Sequence, residues 1–441
     1  MHKVNRFSQF NSKLLINKHL VVYNSLTEKM VLIKNQTISS WADLKSMSEF
    51  DPILKCNLIE AGILIEEGVD ETLELEKRIL EGINGNGEYT LHINPTLDCN
   101  FRCWYCYENH LVGSQMNDDI LSRVKEYISK IIRRDDITQL SLGYFGGEPL
   151  LYFDKVAKRI ILHAAEECRK YNKTLYVSFT SNGYALNDEI INFLSEYDCG
   201  FQITLDGGKN DHDSTRFTKN GVGSYDRIVS NIHKLVAHGI KVIVRVNYTS
   251  KNIDNVRNIY HSFSEVDDNL KSNISFDFQR VWQDRESGYD ETEVKISEIR
   301  SFFSGNGFSV HTNYIPRDVR YPCYGDKKEY LLINYNGDVF GCTARDFTTE
   351  NRVGFLDGSG EVIYDDTRLE QRRASKFSKP VCKACRIAPI CGGGCTQKSY
   401  ELMQRNECTL GYTEEDKDKI VIDILDWAIS NNTKSIKSNR L

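Results

Sequence analysis

Thirteen cysteines are spread unevenly along this 441-residue chain, and their spacing is the first sign of chemistry. Cys99, Cys103 and Cys106 form a C-x3-C-x2-C group. Seven more crowd the last third of the chain: Cys323, Cys342, Cys382, Cys385, Cys391, Cys395 and Cys408. The share of cysteine is too low for a disulfide scaffold. Clustered thiols in a reducing compartment bind metal more often than they pair as disulfides, so we expect metal centres.

The first group is suited to an iron–sulfur cluster. Three thiolates on one short loop can hold three irons of a [4Fe–4S] cube, which leaves the fourth iron open to an exogenous chelator. A structural zinc site needs four closed ligands. His110 can supply a fourth ligand here, so the residues alone leave zinc as an alternative.

The overall composition excludes several classes of protein. The chain is 40% hydrophobic and 27% charged, which is typical of a globular protein. It has no run of the roughly 18 apolar residues that a membrane span needs and no signal peptide at its N-terminus, so we expect a cytoplasmic protein without membrane contact. The net charge of −6 argues against nucleic acid as a partner.

The positioning elements follow from the hydrophobic pattern. Strands and helical patterns alternate from residue 88 to about 310. The predicted strands are 89–95, 140–145, 174–180, 200–205, 241–248 and 274–281. Six βα units predict a mostly parallel sheet, either doubly wound or a partial barrel, with its chemistry in the loops at the carboxyl ends of the strands.

Residues before this region predict a small α/β module. Two apolar segments around 20–23 and 30–33 indicate a hairpin. A helix follows, with Asp51 as its N-cap, Pro52 at its first position and Gly62 just beyond its end. Its predicted buried stripe is Ile53, Leu54, Leu58 and Ile59. A short strand at 63–65 completes the outline of a winged helix, and a charged helical segment and a Gly-rich linker lead to residue 87.

Beyond residue 310 the βα alternation stops. A hairpin with an Asn336-Gly337 turn is predicted there, followed by cysteine-rich irregular chain. An amphipathic helix is predicted over 414–429, and the last dozen residues form a solvated tail.

Several ordered motifs resemble those of the radical S-adenosylmethionine (SAM) enzymes. The C-x3-C-x-aromatic-C group follows the first strand, Gly146-Gly147-Glu148 follows the second, and Arg216 lies beyond the fourth. The resemblance implies a partial (β/α)6 TIM barrel over 88–310, whose [4Fe–4S] cluster binds SAM. It further implies SAM contacts from these residues: Tyr105, Gly146, Gly147, Glu148, Asn182, Thr204 and Arg216. One electron from the cluster would cleave SAM to a 5′-deoxyadenosyl radical, which abstracts hydrogen from substrate.

The later cysteines resemble the SPASM extension of this family, although alone they also fit a zinc ribbon. The resemblance implies two auxiliary [4Fe–4S] clusters. The nearer would use Cys323, Cys342 and Cys395; the farther would use Cys382, Cys385, Cys391 and Cys408. Some family members have a further cysteine where this chain has Glu329. The nearer cluster is therefore expected to keep an open iron, or to take an oxygen ligand such as Asp326 or Glu329.

The resulting prediction is an α/β protein with three domains. These are a winged-helix-like peptide-recognition module and linker (1–87), the radical SAM core (88–310) and a cysteine-rich SPASM domain (311–441). The predicted activity is maturation of a ribosomally made precursor peptide through a thioether or other cross-link. The alternatives are sulfatase-maturase-like oxidation of a protein Ser or Cys to formylglycine, and a non-catalytic iron–sulfur scaffold.

Two partners and one unassigned role complete the prediction. The precursor peptide is expected to pair with the exposed edge of the N-terminal hairpin, although the module could instead be a cap over the barrel. An electron donor such as flavodoxin or ferredoxin is the second partner. The sequence assigns no catalytic acid or base, and Asp277 on the sixth strand is left out of the site.

Overall fold

The computed structural model describes residues 5–16, 19–33, 40–284, 291–311, 322–365 and 367–425. The chain divides into two compact units. The terminal unit contains Met1–Gly85, Asn313–Lys328 and Arg368–Leu441, and the core unit contains Asn86–Thr312 and Glu329–Thr367. The segment expected to be a C-terminal domain, 311–441, is thus divided between the two units.

The first part of the terminal unit contains five strands and three helices among its described residues. The strands are β1 (Asn5–Phe7), β2 (Asn11–Ile16), β3 (His19–Asn24), β4 (Lys29–Ile33) and β5 (Leu64–Glu66). The helices are α1 (Trp41–Phe50), α2 (Pro52–Glu60) and α3 (Glu71–Asn84). Strands β2, β3 and β4 form an antiparallel sheet, and β1 pairs with β5. The predicted hairpin is therefore the β3–β4 pair, extended by β2.

Helix α2 begins and ends where the sequence predicts. The Asp51 carboxylate accepts hydrogen bonds from the backbone N–H groups of Ile53 and Leu54, and Gly62 follows the helix at φ +70°. The predicted stripe is only half correct. Leu54 and Leu58 pack into a core with Leu44 and Ile63, whereas Ile53 and Ile59 are exposed, because this short helix presents a single i, i+4 row to its neighbours.

The core unit is an α/β unit built on one large sheet, consistent with a partial TIM barrel. Its strands are β6 (Glu88–Ile93), β7 (Gln139–Tyr144), β8 (Thr174–Ser181), β9 (Asp198–Leu205), β10 (Lys241–Tyr248), β11 (Ile274–Arg280), β12 (Ser309–His311), β13 (Tyr330–Ile333), β14 (Asp338–Phe340), β15 (Arg352–Leu356) and β16 (Val362–Tyr364). Its helices are α4 (Asp118–Ile132), α5 (Lys158–Lys170), α6 (Asp188–Leu194), α7 (Lys209–Thr215), α8 (Tyr225–Ala237), α9 (Ile253–Val256), α10 (Asp268–Lys271) and α11 (Glu291–Gly305). All six predicted strands are present, as β6 to β11.

The strand order is β12-β11-β10-β9-β8-β7-β6-β13-β14-β15-β16. Neighbours from β12 to β6 are parallel, and β13 adds to β6 in parallel before the sheet continues through antiparallel strands. The predicted hairpin around Gly337 is thus β13–β14, and it extends the core sheet. Stacked rings of Tyr144, Phe179 and Phe201, with centroids 4.7 and 5.0 Å apart, fill the interior between β7, β8 and β9.

The rest of the terminal unit contains short helices. They are α12 (Arg368–Ala374), α13 (Pro380–Lys383), α14 (Ala388–Cys391) and α15 (Thr396–Glu401), and residues 414–425 are helical too. The N-terminal sheet shares a hydrophobic core with this region, through Val21 and Tyr23 on one side and Ile387, Ile390 and Val421 on the other. The predicted end of the last helix and the predicted tail lie outside the described residues. None of the described helices is long and apolar enough to cross a membrane.

Candidate functional site

The loop that carries the first three cysteines follows β6 and is held by its own polar groups. The Asp98 carboxylate accepts hydrogen bonds from the N–H of Cys99 (2.8 Å) and of Gly113 (3.1 Å). Arg102 donates to the carbonyl oxygens of Cys99 and Phe101 at 2.6 and 2.7 Å. The loop therefore has a defined course that is fixed by protein contacts alone.

The three thiols of this loop differ in exposure. Cys99 is buried, Cys103 is half-buried and Cys106 is exposed, and all three are free thiols. Burial raises the pKa of the Cys99 thiol to about 12, so this thiol is protonated unless a cation binds it. A metal centre supplies such a cation and deprotonates coordinating thiols outright, so the donor set fits an iron–sulfur cluster.

Binding of a single metal ion would require several side chains to point at one position. Among the described residues, no group of three or more His, Cys, Asp or Glu side chains is placed to hold one metal ion. A [4Fe–4S] cube instead bonds each thiolate to a different iron. The His110 imidazole lies 3.5 Å from the Cys106 sulfur and 3.3 Å from the Arg102 guanidinium, so it contacts one of the three thiols.

A tight glycine turn at the end of β7 faces the cysteine loop. Gly146 and Gly147 have φ values of +79° and +50°, which favour glycine. A Cβ atom on Gly147 would lie 2.2 Å from the Asp98 carbonyl oxygen, and one on Gly146 would lie 2.5 Å from the Asn94 side chain. The backbone of the turn can therefore lie this close to the cysteine loop only because both residues lack side chains.

Glu148 ties this turn to the next strand. Its side chain is fully buried and accepts hydrogen bonds from the Ser181 hydroxyl and the Asn182 backbone N–H, both at 2.7 Å. Burial raises the pKa of Glu148, and these hydrogen bonds oppose the shift. Asn182 in turn donates to Asn100 at 2.7 Å and lies 3.9 Å from the Cys99 sulfur. The carboxylate is thus a structural clamp that places Asn182 beside the cysteine loop.

Arg216 reaches the same loop from beyond β9. It is buried and donates to the Tyr105 hydroxyl at 2.8 Å, while that hydroxyl donates to the Asp206 carboxylate at 2.6 Å. The Nε atom of Arg216 is buried without a hydrogen-bond partner in the protein. Thr204 is buried on β9, two residues before Asp206. Arg216 is thus a buried cation with one unused N–H donor, and it is bonded to Tyr105, a residue of the cysteine loop.

The structure also assigns contacts that the sequence analysis did not identify. Asp206 lies one residue beyond β9, and this position at the carboxyl end of a parallel strand is a signal by which the sequence could have identified it. Glu108 accepts a hydrogen bond from the Gly147 N–H at 2.7 Å, and burial raises the pKa of its carboxyl to about 7. Asn94, which touches Gly146, donates to Asn334 at 3.3 Å. Asn94, like Asp206, lies one residue beyond a parallel strand, whereas Glu108 carries no sequence signal, because its contact depends on the close approach of two loops.

Comparison with known proteins agrees with this arrangement. The model of the Radical SAM superfamily matches residues 93–263, which include the cysteine loop, the glycine turn and Arg216. The chain contains a radical SAM domain. A protein with this domain is an enzyme, and the domain uses a [4Fe–4S] cluster and SAM.

Individual relatives agree with the domain assignment. A cysteine-type anaerobic sulfatase-maturating enzyme of Clostridium novyi is 27% identical over 326 residues, which cover 68% of this chain and 85% of the relative. The radical SAM cyclopropyl synthase TigE of Paramaledivibacter caminithermalis is 22% identical over 397 residues, 82% of this chain and 81% of TigE.

Solved structures share the fold at low identity. Native anSMEcpe with bound AdoMet has a TM-score of 0.60 and 18% identity, and the match covers 80% of this chain and all of that one. Streptococcus suis SuiB bound to precursor peptide SuiA has a TM-score of 0.51 and 15% identity, and the match covers 90% of this chain and 96% of that one.

The terminal unit holds a second cysteine site apart from the radical SAM domain. Four thiols line one cavity: Cys382, Cys385, Cys391 and Cys408. Apolar side chains of Phe377, Ile387, Leu410 and Tyr412 form much of the surrounding wall. Burial raises the pKa of Cys391 to about 11. Lys379 and Lys417 lie near enough for their charges to oppose the pKa rise of Cys382. Four thiols around one apolar cavity fit the four irons of a closed cube.

The remaining three predicted ligands belong to different units. Cys323 and Cys395 are in the terminal unit, and Cys342 is buried in the core unit. The Asp326 carboxylate, next to Cys323, is buried and accepts hydrogen bonds from Lys376 and from Thr396, the residue after Cys395. These contacts link the Cys323 and Cys395 segments within the terminal unit.

The two suggested oxygen ligands already have protein partners. Asp326 is held by Lys376 and Thr396, and Glu329 lies 3.4 Å from the Arg134 guanidinium in the core unit. The second carboxylate oxygen of Glu329 is buried without a hydrogen-bond partner, so this side chain keeps one oxygen for a metal. The open iron and the oxygen ligand therefore both stay predictions.

Proposed function

We propose that this protein is a radical SAM peptide maturase that modifies a ribosomally made precursor peptide by a thioether or other radical-derived cross-link. The observation that supports this proposal most strongly is that three elements of the core unit contact one another. These are the three-thiol loop, the Gly146-Gly147 turn against it, and the Arg216–Tyr105–Asp206 network beside it.

Each element has a role toward SAM. Cys99, Cys103 and Cys106 would hold three irons and leave the fourth for the amino and carboxylate groups of SAM. Arg216 offers a buried cation and an unused Nε donor for that carboxylate. The glycine turn exposes backbone groups where no side chain intervenes. When bound, the cluster supplies the electron that cleaves SAM to a 5′-deoxyadenosyl radical; the protein orients SAM and excludes water.

A peptide substrate is supported by the terminal unit and by the relatives. Within the described residues, β4 pairs with β3 on one side and carries no strand on the other. Met30 and Leu32 are exposed on it. An extended leader peptide can add to such an edge, with backbone hydrogen bonds supplying affinity and the two apolar side chains supplying contacts. SuiB, a structural relative, has been crystallised with its precursor peptide SuiA.

The later cysteines would support the same chemistry. The four-thiol cavity of the terminal unit would hold the farther auxiliary cluster. An open iron on the nearer cluster would bind a substrate thiol and present its sulfur for bond formation.

A second candidate is oxidation of a protein Ser or Cys to formylglycine. The Clostridium novyi relative, a sulfatase-maturating enzyme, favours it. The two candidates differ in what the enzyme accepts. A maturase needs the leader segment that binds the β4 edge, whereas a sulfatase maturase acts on a short sulfatase-derived peptide.

One experiment separates these candidates. Anaerobically reconstituted enzyme is given SAM, dithionite and either a precursor peptide from a neighbouring reading frame or a sulfatase-derived peptide containing Ser or Cys. We expect 5′-deoxyadenosine together with a two-hydrogen mass loss and a cross-link in the precursor only. Formylglycine in the sulfatase peptide would favour the alternative. An enzyme that releases no 5′-deoxyadenosine with any substrate would contradict both and leave a non-catalytic scaffold.

A further inference from the structure

The outer side of the cysteine loop carries a surface that the SAM site does not use. We propose that this surface docks an acidic one-electron carrier protein that reduces the cluster. We call it the donor surface and define it by Arg102, Leu111, Val112, Lys219, Val222 and Arg227. The inference rests on the proposed function, since an electron donor is needed only if the loop holds a cluster.

The donor surface is continuous, because three segments meet at Asp98. The Asp98 carboxylate lies 3.5 Å from Lys219 and 3.9 Å from Arg102, and it accepts the Gly113 N–H. An antiparallel bridge joins Phe101 of the cysteine loop to Thr218. The cysteine loop, the 110–113 turn and the 217–223 hairpin therefore form one face.

This face is both apolar and cationic. Val112 is 68% exposed, Val222 59% and Leu111 51%, which is unusual for three large apolar side chains so close to one another. The Arg102 and Lys219 side chains are 41% and 49% exposed. Arg227 is also exposed, with its guanidinium 4.3 Å from the Tyr184 ring centroid, and Tyr184 packs on Phe101.

Charge identifies the kind of partner. Two cations, Arg102 and Lys219, flank the largely covered carboxylate of Asp98, and Arg227 adds a third exposed cation, although the whole chain has a net charge of −6. A local positive patch on an acidic protein steers an acidic partner and repels a basic one. Exposed apolar side chains and cations on the same segments match the general composition of a protein interface.

Position identifies what the partner delivers. Cys106 is the exposed thiol of the three, and its sulfur lies 3.5 Å from His110, which contacts Arg102 of the donor surface. A carrier docked here is therefore next to the most accessible edge of the cluster site. Electron transfer slows steeply with distance, so this edge is the best entry point. In the step itself the carrier loses one electron and the cluster gains one, with no bond made or broken.

Two variants with a matched control test the proposal. The double variant V112E/R227E places acids on the donor surface and touches neither the thiols nor the SAM-binding residues. The control L162E/R169E makes the same changes on exposed residues of α5. Each holoenzyme is assayed for 5′-deoxyadenosine with dithionite and, separately, over a range of reduced flavodoxin concentrations. Flavodoxin binding is measured by calorimetry at low and high salt.

We expect V112E/R227E to need about tenfold more flavodoxin for the half-maximal rate and to lose the salt dependence of binding, with an unchanged dithionite rate. The control should behave as the parent enzyme in every assay. Unchanged flavodoxin binding in V112E/R227E would overturn the donor surface, as would an equal loss with dithionite. Weaker precursor-peptide binding with unchanged flavodoxin binding would assign the surface to the substrate instead. If the parent enzyme fails to cleave SAM with dithionite, the proposed function fails, and calorimetry still decides whether the surface binds the carrier.

Discussion

The two cysteine sites are built on different principles. The three-thiol loop of the core unit lies among polar groups brought by β7, β8 and β9, including Asn182 and Arg216. The four-thiol site of the terminal unit lies in a cavity walled by apolar side chains such as Phe377, Leu410 and Tyr412. A site with spare polar donors is prepared for a further molecule, whereas one with four thiols and an apolar wall is complete without one. The polar or apolar groups around a cysteine site therefore indicate whether it binds a further molecule, whereas the number of thiols alone does not.

The largest expected effect comes from removing one thiol at each site. Cys103→Ala should abolish 5′-deoxyadenosine formation, because the remaining two thiols cannot hold the cube. Cys391→Ala should leave SAM cleavage in place and abolish peptide modification. Each variant should lose about four irons per chain. Iron analysis and chromatography of both products measure these outcomes; equal loss of SAM cleavage in the two variants would erase the distinction between the sites.

The glycine turn should give the next largest effect. Gly147→Ala places a Cβ atom 2.2 Å from the Asp98 carbonyl oxygen, so the turn or the cysteine loop must move. SAM binding should weaken by about 100-fold, which corresponds to about 2.7 kcal/mol. Gly113→Ala is the matched control, since Gly113 has φ +77° with nothing within 4 Å of a Cβ atom. Equilibrium dialysis with SAM measures both, and similar losses would show that backbone strain alone is responsible.

Loss of one hydroxyl should give a smaller effect at the same site. Tyr105→Phe removes the group that links Arg216 to Asp206, and a buried partner left unsatisfied costs about 1–3 kcal/mol. SAM binding should therefore weaken by about tenfold. Tyr107→Phe on the same loop is the control, because its hydroxyl bonds an exposed carbonyl of Thr343. Combining Tyr105→Phe with Asp206→Asn should cost less than the sum of the two changes.

The smallest expected effect is a pH dependence of stability in the core unit. His212 is fully buried, and burial followed by the Arg216 charge lowers its pKa to about 3. In the unfolded chain this histidine has an ordinary pKa near 6.5, so below that pH it binds a proton that the folded chain does not bind. His212 therefore contributes stability that is fully present above pH 6.5 and lost as the pH falls toward 3.

Between pH 7.5 and 5.5 this histidine should cost about 1.4 kcal/mol of unfolding free energy. Urea unfolding at the two pH values measures the change, and His212→Gln should reduce it. The exposed His238 provides the control variant H238Q, which should leave the pH dependence as in the parent. A larger pH effect in His212→Gln would contradict the assignment.

Patterns within a few residues of the sequence predicted the strands, the helix caps and the clustered cysteines. The features that the sequence did not predict depend on contacts between distant parts of the chain. The strands β6 to β11, the caps of α2 and the cysteine groups each have a signal within a few residues. The parallel pairing of β13 with β6 joins residues about 240 positions apart and has no local signal. The contact of Glu108 with Gly147 depends in the same way on two loops meeting.

The most direct test concerns the open iron of the three-thiol loop. Electron paramagnetic resonance of anaerobically reconstituted, dithionite-reduced enzyme is recorded with and without SAM. We predict a reduced [4Fe–4S] signal that changes when SAM is added, survives in Cys391→Ala and disappears in Cys103→Ala. Zinc in place of iron at Cys99, Cys103 and Cys106, or a spectrum indifferent to SAM, would contradict the account.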